Sequence, residues 1–453
     1  MSRERLGHRV TVLGAALLVI ALIAASCGGG GQNSLKDKRE VAIAFVGAKT
    51  GANQTFGLNF RDGARLAIDE ENQGGGDLTV RLREFDTAGE GAQARAVSNQ
   101  FIGDRSVVGV VGPPFTGETN GLVRDLQQAG LVMIGASPVD KDLPSAPASR
   151  AVYHRIVADL DPQASGIAEY LSSLERATSV AYVHDGSDYG KQLALNTERK
   201  TAGRGVRTAA VEAIDPKSAD VSAAVDKIRG SGADTVFYGG LFTEAALLQR
   251  KLTEQGANLR FVSSEVALDQ SFVDATRAGT TQALNTQGVR LACACKLPLE
   301  SSTAALRDFY NQYKQKIGRE PGPYSAEGYD AAKILIRGIK AGGQNREALL
   351  RFVEEQLGTY EGISKTIEFE PGGNLKARTF VVYEVRGGRI SELRSLTLGS
   401  STGTTTTGAS STTSTSRRPP TTRRSTTTTT ATTTTAPDRS IPEGTTTPST
   451  AVP

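Results

Sequence analysis

The sequence has no tryptophan, three histidines and three cysteines in 453 residues, and it has little net charge for its length. This scarcity argues against an enzyme or a metal site built on histidine or cysteine, because such sites need several of those side chains close together. The formal net charge is +4, of which +2 comes from residues 1–26 and +3 from residues 399–453, so the part between them carries −1. A nearly neutral body argues against nucleic acid as the main partner, since that affinity depends on a concentrated basic face.

The sequence also lacks an apolar run long enough to span a bilayer comfortably. Residues 10–25 form an apolar run of 16 residues behind three arginines, which is typical of a signal peptide. The small residues 24–26 before Cys27 resemble the lipobox of bacterial lipoproteins, in which the cysteine is lipidated. We therefore expect a signal peptide over 1–26, a lipid anchor at Cys27 that holds the protein outside the cytoplasm on the cell membrane, and a flexible tether over 27–40. An ordinary signal peptide with an incidental Cys27, or an uncleaved short anchor, fits the same run.

Residues 399–453 have almost nothing apolar to bury. Threonine and serine make up 23 and 9 of these 55 residues, and prolines and five arginines lie among them. Such a segment cannot offset the entropy of ordering, so we expect a disordered Thr/Ser/Pro-rich tail. The composition fits an O-glycosylated or wall-threading stalk and an unmodified disordered tail equally well.

Between the two ends, apolar runs alternate with amphipathic stretches. Valine- and isoleucine-rich runs predict strands at 41–48, 78–85, 107–112, 131–136, 179–184, 209–214, 235–239, 260–263 and 289–293. Helical periodicity predicts helices over 57–72, 92–101, 120–128, 162–174, 191–202, 219–229, 244–255, 302–317 and 325–340. This alternation is typical of parallel sheets built from βαβ units, and so many strands favour two sheets over one. Alternating polarity at 366–369 and 378–385 predicts an antiparallel edge.

The loop after the predicted strand at 107–112 is suited to an anion. It runs Pro-Pro-Phe-Thr-Gly-Glu-Thr over 113–119 and leads into a predicted helix, whose first N–H groups and dipole favour negative charge. Thr116 adds a hydroxyl donor, whereas Glu118 disfavours a multiply charged anion unless it points away. The simpler interpretation is that Thr116 or Thr119 only caps the helix.

Other predicted strand ends carry small, hydroxylic or acidic residues, among them Ser137, Asp185, Thr243 and Glu265. In open parallel sheets, ligands bind outside the carboxyl ends of the strands. An acidic residue that faces anion-binding N–H groups across a cleft is the arrangement that a zwitterion needs. The strand ends therefore predict a site for a small molecule that carries both charges.

Several short segments, each weak alone, carry a family resemblance together. They are Val46-Gly47-Ala48-Lys49-Thr50-Gly51, Phe56-Gly57, Gly63-Ala64, Val111-Gly112, Val183-His184-Asp185, Tyr189-Gly190, Phe237-Tyr238-Gly239-Gly240 and Glu327-Gly328-Tyr329-Asp330-Ala331. Over about 41–396 the sequence resembles the periplasmic binding proteins of type I, and within them the leucine/isoleucine/valine-binding proteins of ABC importers. The resemblance implies an α/β fold of two Rossmann-like lobes, whose mostly parallel sheets are joined by a multi-crossing hinge.

The resemblance also implies that neither lobe is continuous in sequence. Lobe one is expected over 41–158 and 289–362, and lobe two over 159–288 and 363–398. The ligand is then expected in the cleft between them.

Five positions match those at which the family holds the charged ends of an amino acid. Thr116 and the Gly117 amide match the site of the ligand carboxylate. Ser137 and Val139 match a pair that holds the ammonium and the carboxylate through a backbone carbonyl and a threonine hydroxyl. Glu265 matches the acid that pairs with the ammonium. These roles are implied by the resemblance.

The remaining matched positions line the cleft. Tyr189 matches a cleft tyrosine of the second lobe, and Phe56 and Leu241 match aromatic positions around the ligand side chain. The sequence departs from the family where Val139 replaces threonine and Leu241 replaces tyrosine, which makes the site more apolar and leaves the ligand open. Simpler interpretations are a hydrophobic anchor for Tyr189, a solvated loop acid for Glu265, and core positions for Phe56 and Leu241.

Cys293 and Cys295 form a Cys-x-Cys sequence at the end of a predicted strand. Outside the cytoplasm a local disulfide is chemically permitted, and free thiols are the alternative. Metal binding by the two thiolates would need partners that the sequence does not offer.

The function implied is capture of a small zwitterion, a branched-chain or other apolar amino acid, for delivery to the permease subunits of an ABC importer, with no cofactor and no metal. An extracellular sensor and a wall-associated structural protein with a degenerate cleft are the alternatives. Catalysis is not expected, because the sequence has no phosphate-binding Gly-x-x-x-x-Gly-Lys run and Gly203-Arg204-Gly205 follows a helix rather than a strand.

Overall fold

The computed structural model describes residues 39–51, 54–137, 151–218, 220–240, 242–277, 288–300 and 302–398. The expected signal peptide, Cys27, nearly all of the tether and the tail lie outside the described residues, as do Val139 and Leu241. Among the described helices, none combines the length and the apolar character needed to cross a membrane.

The first sheet of the described chain has five parallel strands in the order β2-β1-β3-β4-β5. Its strands are β1 Arg39–Gly47, β2 Leu78–Asp86, β3 Val107–Val111, β4 Val132–Gly135 and β5 Tyr153–Arg155. Nearly every residue of β1, β3 and β4 is buried, because helices cover both faces of the sheet. These helices are α1 Gln54–Gln73, α2 Gly91–Ile102 and α3 Thr116–Ala129.

The second sheet has seven described strands in the order β14-β13-β10-β9-β8-β6-β7. Its strands are β6 Ser179–His184, β7 Arg207–Ala213, β8 Thr235–Tyr238, β9 Arg260–Ser264, β10 Arg290–Cys293, β13 Arg378–Arg386 and β14 Arg389–Leu398. The β10–β13 and β13–β14 pairs are antiparallel, and the others are parallel. The antiparallel edge predicted at 378–385 is thus present, whereas β12 Thr366–Ile367 pairs with β11 Tyr360–Glu361 in a separate two-stranded ribbon.

The remaining helices divide between the two sheets. The second sheet packs against α4 Leu160–Glu169, which continues as a π-helical turn Tyr170–Leu174, and against α5 Asp188–Ala202, α6 Ser222–Gly230, α7 Phe242–Glu254 and α8 Gln270–Arg277. The chain then returns to the first sheet with α9 Ala304–Ile317, α10 Ser325–Lys340 and α11 Arg346–Arg351. We call the first sheet with its helices the first lobe, and the second sheet with its helices the second lobe.

The return of the chain to the first lobe comes later than expected. Lobe one was expected to resume at 289, but β10 lies inside the second sheet, paired with β9 on one side and β13 on the other. The strand predicted at 289–293 is therefore present, and its assignment to the first lobe is wrong. Sequence alone did not reveal this, because a buried apolar strand reads the same in either sheet.

Within the first lobe, α1 and α10 pack in very close contact. A Cβ added at Gly63 would lie 1.9 Å from the Ser325 carbonyl oxygen, and one added at Gly328 would lie 2.1 Å from the Phe60 carbonyl oxygen. Only glycine allows two helix backbones to approach this closely. This contact fixes the start of α10 beside the middle of α1.

Candidate functional site

Glu265 directly follows β9, at the carboxyl edge of the second sheet, and lies between two tyrosines. Its side chain is buried, and Oε1 accepts hydrogen bonds from the Tyr189 hydroxyl at 2.6 Å and the Tyr324 hydroxyl at 3.1 Å. Tyr189 belongs to the first turn of α5 in the second lobe, whereas Tyr324 is the N-cap of α10 in the first lobe. The carboxylate therefore joins the two lobes.

The electrostatics of this group favour a cation. Burial raises the pKa of Glu265, and the hydrogen bonds from the two tyrosine hydroxyls act in the opposite direction. Burial and the Glu265 charge raise the pKa of both Tyr189 and Tyr324 well above its ordinary value, so both donors are neutral hydroxyls. A buried carboxylate that accepts from neutral hydroxyls gains from an ammonium placed against it.

Aromatic rings form one wall beside Tyr324. The buried Phe56 ring, from the first turn of α1, meets the Phe115 ring edge to face at 5.8 Å between centroids and the Tyr324 ring at 6.1 Å. Phe115 lies just before α3, so the starts of α1, α3 and α10 converge here. The wall is apolar and suits an aliphatic side chain.

The N-terminus of α3 lies at the carboxyl edge of the first sheet. The helix begins at Thr116, four residues earlier than predicted, because Phe115 has the extended conformation of an N-cap and the Glu118 carboxylate accepts a hydrogen bond from the Phe115 N–H at 3.2 Å. Gly117 is exposed, and a Cβ built there would meet nothing within 4 Å. The first turn thus leaves room beside the N–H groups that favour an anion.

Glu118 points away from that space. Its side chain is fully buried and also accepts a hydrogen bond from the Thr87 hydroxyl. Burial raises the pKa of Glu118 to about 7, against the effect of the hydrogen bonds from Thr87, Phe115 and Ala48. An anion at the start of this helix requires that Glu118 point away from it, and Glu118 does so.

Ser137 follows β4 and belongs to a group of buried hydroxyls. Its Oγ lies 2.5 Å from Thr119 Oγ1 and 2.8 Å from the Tyr153 hydroxyl, which also lies within donating distance, 2.8 Å, of the Ser137 carbonyl. Tyr153 is among the groups that raise the pKa of Tyr324, so this cluster of buried hydroxyls lies within electrostatic range of Tyr324, which contacts Glu265. The Ser137 atoms expected to hold a ligand are engaged with protein partners here.

Phe56, Tyr189 and Glu265 come together through Tyr324, a residue that the sequence did not identify. Thr116 and Gly117 lie at the start of α3, which reaches the same wall through Phe115. The sequence also missed Tyr153 and Thr119 as partners of Ser137. The one available signal for Tyr324 was its place after Pro321-Gly322-Pro323 and directly before a helix.

Two open cavities of similar volume differ in their position. One of about 700 Å³ lies at the amino ends of β8, β9 and β10, beside the Arg260–Asp234 and Arg290–Glu384 ion pairs. The other, of about 710 Å³, lies between the lobes and is lined by residues next to the site in sequence, including Asn59, Leu268 and Pro323. Neither cavity has Glu265, Tyr189, Tyr324, Phe56 or Thr116 in its lining.

The two cysteines lie where β10 leaves the second sheet. Cys293 and Cys295 are buried and joined by a disulfide, and the Cys295 N–H donates to the Cys293 sulfur at 3.0 Å. Within the described part of the chain, no cluster of three or more histidine, cysteine, aspartate or glutamate side chains could hold a metal ion.

Comparison with known proteins identifies the family and the type of fold. The family model described as periplasmic binding protein matches residues 40–389. An amino acid binding protein of Pseudomonas aeruginosa is 29% identical over 370 residues, which is 81% of this chain and 95% of that protein. A leucine-, isoleucine-, valine-, threonine- and alanine-binding protein of the same organism is 26% identical over 348 residues, covering 76% of this chain and 89% of that one.

Solved structures support the same fold. The branched-chain amino acid transporter substrate-binding protein LivJ of Streptococcus pneumoniae, solved with isoleucine, superposes with a TM-score of 0.70. It is 21% identical, and the match covers 80% of this chain and 99% of that chain. The predicted fold class, with two lobes of mostly parallel sheets linked by several crossings, is confirmed.

Proposed function

The chain belongs to the periplasmic binding protein family, and we propose that it captures a branched-chain or other apolar amino acid between its lobes and delivers it to the permease of an ABC importer. The observation that carries the proposal is the buried Glu265 carboxylate, which is held by one neutral hydroxyl from each lobe. An ammonium against Glu265 supplies the missing positive charge. Its position between the lobes couples ligand capture to lobe closure.

The other parts of the ligand have matching surfaces. The N–H groups of the first turn of α3, with Thr116 and Gly117, suit the carboxylate. The wall of Phe56, Phe115 and Tyr324 suits an aliphatic side chain. We include Ser137, Val139, Tyr189 and Leu241 in the proposed site by their match to the family, and the named ligands of the relatives, leucine, isoleucine and valine, are the first candidates.

The proposal places the protein outside the cytoplasm, with a lipid on Cys27 as its membrane anchor. It assigns a binding role, which suits the carboxylate, neutral hydroxyls, aromatic rings and helix N–H groups described above. The permease would bind the closed form.

Titration calorimetry of the full chain tests the recognition of both charges. Leucine, isoleucine and valine are compared with 4-methylpentanoate, which lacks the ammonium, and with 3-methylbutylamine, which lacks the carboxylate. We expect the amino acids to bind and both analogues to bind at least tenfold more weakly, since each leaves one charged partner unmatched. Binding of 4-methylpentanoate as tight as that of leucine would contradict recognition by Glu265.

Replacement of the carboxylate tests the residue itself. Glu265→Gln keeps the shape and the hydrogen-bond acceptor but removes the charge, so we expect the affinity for the amino acid to fall tenfold or more, about 1.4 kcal/mol. Glu265→Ala should weaken binding at least as much. Glu347→Gln is the matched control, because the Glu347 side chain is 75% exposed on α11. Equal affinities of wild type and Glu265→Gln would refute the assignment, and no binding of any amino acid by the wild type would refute the proposed ligand class.

A further inference from the structure

The described chain passes between the two lobes three times, and one buried side chain of the third passage contacts the other two. The first crossing follows β5, the second follows β10, and the third contains Lys365, between β11 and β12. The Lys365 side chain is 5% exposed. Its Nζ donates to the Ile156 carbonyl of the first crossing at 3.2 Å and to the Ala294 carbonyl of the second at 3.1 Å.

The third partner of Lys365 is a buried carboxylate of the first lobe. Glu327, in the first turn of α10, is fully buried and has Oε1 at 3.0 Å from Lys365 Nζ. The same oxygen accepts the Lys296 N–H of the second crossing at 2.8 Å. An ammonium has three N–H donors, so these three acceptors use all of them.

Helix α10 connects this lysine with the candidate binding site. Tyr324, Glu327 and Asp330 follow one another at intervals of three and lie on one face of the helix start. Tyr324 contacts Glu265 of the second lobe, whereas Asp330 accepts hydrogen bonds from the N–H groups of Ile363 and Ser364, both at 2.9 Å. Helix α10 therefore contacts both the candidate binding site and the second and third crossings.

The disulfide fixes one of the acceptors of Lys365. Ala294 lies between Cys293 and Cys295, so its carbonyl is part of the small ring that the disulfide closes. The carbonyl oxygen is thus held in a defined direction, toward Nζ.

We propose that Lys365 is a positioning residue for ligand binding, which stabilises the closed arrangement of the lobes by binding, from its place in the third crossing, the backbone of the other two and the Glu327 carboxylate of the first lobe. It touches neither the Glu265 site nor its aromatic wall and acts through the hinge. Rotation of one lobe against the other turns the crossings and separates Nζ from at least one carbonyl. The effect on ligand affinity rests on the proposed function, whereas the effect on lobe closure does not.

Lobe closure is measured by double electron–electron resonance in the full chain without ligand. Spin labels are placed through Gln100→Cys on α2 and Asp226→Cys on α6, both exposed and in different lobes, in a Cys27→Ala background. The tested change is Lys365→Met together with Glu327→Gln. The pair removes both buried charges, so neither is left unmatched, and the glutamine oxygen still accepts the Lys296 N–H.

We expect the double variant to lose most of the short-distance population that the wild type shows. In calorimetry its Kd for the amino acid should rise by the same factor by which the closed fraction falls, since only the closed fraction binds tightly. Lys376→Met is the matched control, because Lys376 is a half-exposed lysine of the same region that pairs with Glu368. Its distance distribution and Kd should equal those of the wild type.

Each other outcome has one interpretation. A folded double variant with an unchanged distance distribution overturns the proposal, whether or not its affinity changes. A shifted distribution in a protein that binds no amino acid supports the role of Lys365 and refutes the proposed function alone. If the double variant does not fold, Lys365→Gln is used as the single change. Its shorter side chain cannot reach all three acceptors of Lys365, so we expect a shift in the same direction, and no shift overturns the proposal.

Discussion

Glu265 and Glu118 are both buried near the carboxyl ends of strands, and their partners differ. Glu265 accepts from two hydroxyls that belong to different lobes, whereas Glu118 turns into the first lobe toward Thr87 and the Phe115 N–H. Glu118 therefore supports the start of α3 from inside. Its charge lies on the protein side of the helix start, and this lessens its repulsion of an anion in front of Thr116.

The raised pKa of Glu118 predicts a pH dependence of stability. Its folded pKa of about 7 lies above its ordinary value of 4.5, so it contributes stability that is fully present below pH 4.5 and is lost as the pH rises through 7. The contribution is on the order of 3 kcal/mol. We expect Glu118→Gln, which cannot ionise, to gain melting temperature relative to wild type from pH 4.5 to 7.5 in thermal denaturation.

The exposed Glu347→Gln serves as the control for Glu118→Gln, and its melting curve should follow the wild type at every pH. Other titrating groups, such as Asp330 and His154, are common to all three proteins and cancel in the comparison. Parallel curves for wild type and Glu118→Gln would mean that Glu118 has an ordinary pKa in the folded protein.

At the residue scale, the sequence singled out polar residues at the strand ends but not the partners that the structure gives them. Glu265 and Thr116 could be singled out because each follows an apolar run that reads as a strand. Tyr324 could not, because it reaches Glu265 from 59 residues further along the chain, through a crossing whose place the sequence did not reveal. Contacts of that kind depend on the path of the chain, not on local pattern.

At the scale of elements, periodicity predicted most helices and strands because each has one buried face or is wholly buried. The start of α3 was predicted too late, since Phe115 is not a usual N-cap residue and its cap comes from the Glu118 side chain behind it. The assignment of β10 to the first lobe was wrong for a different reason. Strand β10 enters the second sheet between β9 and β13, and β13 lies more than 80 residues later in sequence.

The contact between α1 and α10 predicts that even an alanine methyl group at Gly63 strongly destabilises the fold. Gly63→Ala places a methyl group 1.9 Å from the Ser325 carbonyl oxygen, so the two helices must separate. We expect a loss of about 2 kcal/mol or more in the free energy of unfolding, measured in urea. Because α10 carries Tyr324, the affinity for ligand should fall as well.

A second glycine gives the matched control for Gly63→Ala. Gly230 ends α6, and a Cβ there would meet nothing within 4 Å. Gly230→Ala should leave the stability unchanged or raise it slightly, since alanine is the better helix former. Equal stabilities of the two variants would show that the helices are not in close contact at Gly63.

At the scale of the whole molecule, three crossings of the chain link the two lobes. Lys365 binds the backbone of two crossings from its place in the third, and α10 joins these contacts to the site through Tyr324. The alternation of strands and helices predicted two sheets. It did not predict which residues join them, because Lys365 and Glu327 have no local signal as a buried pair.

The expected anchor predicts where the whole protein is found. Cys27→Ala removes the only cysteine in the lipobox-like sequence, so we expect the protein to move from the membrane fraction to the soluble fraction after cell lysis. The change lies outside the lobes, and ligand affinity in calorimetry should stay within twofold. A Ser34→Ala variant controls for substitution in the same stretch. Membrane retention of Cys27→Ala would refute lipidation at this residue.

The contact between α1 and α10 also has a consequence for the order in which the protein can be made. Arg319, just before α10, binds Asn59 and Asp62 of α1 across 260 and 257 residues of sequence. A chain that emerges from its amino end therefore exposes the apolar face of α1 until almost the whole body has followed. The second sheet is likewise incomplete until β13 and β14 have been made, because they come last in the described sequence. Neither lobe has all of its strands and helices until late in synthesis, so neither can complete its core early.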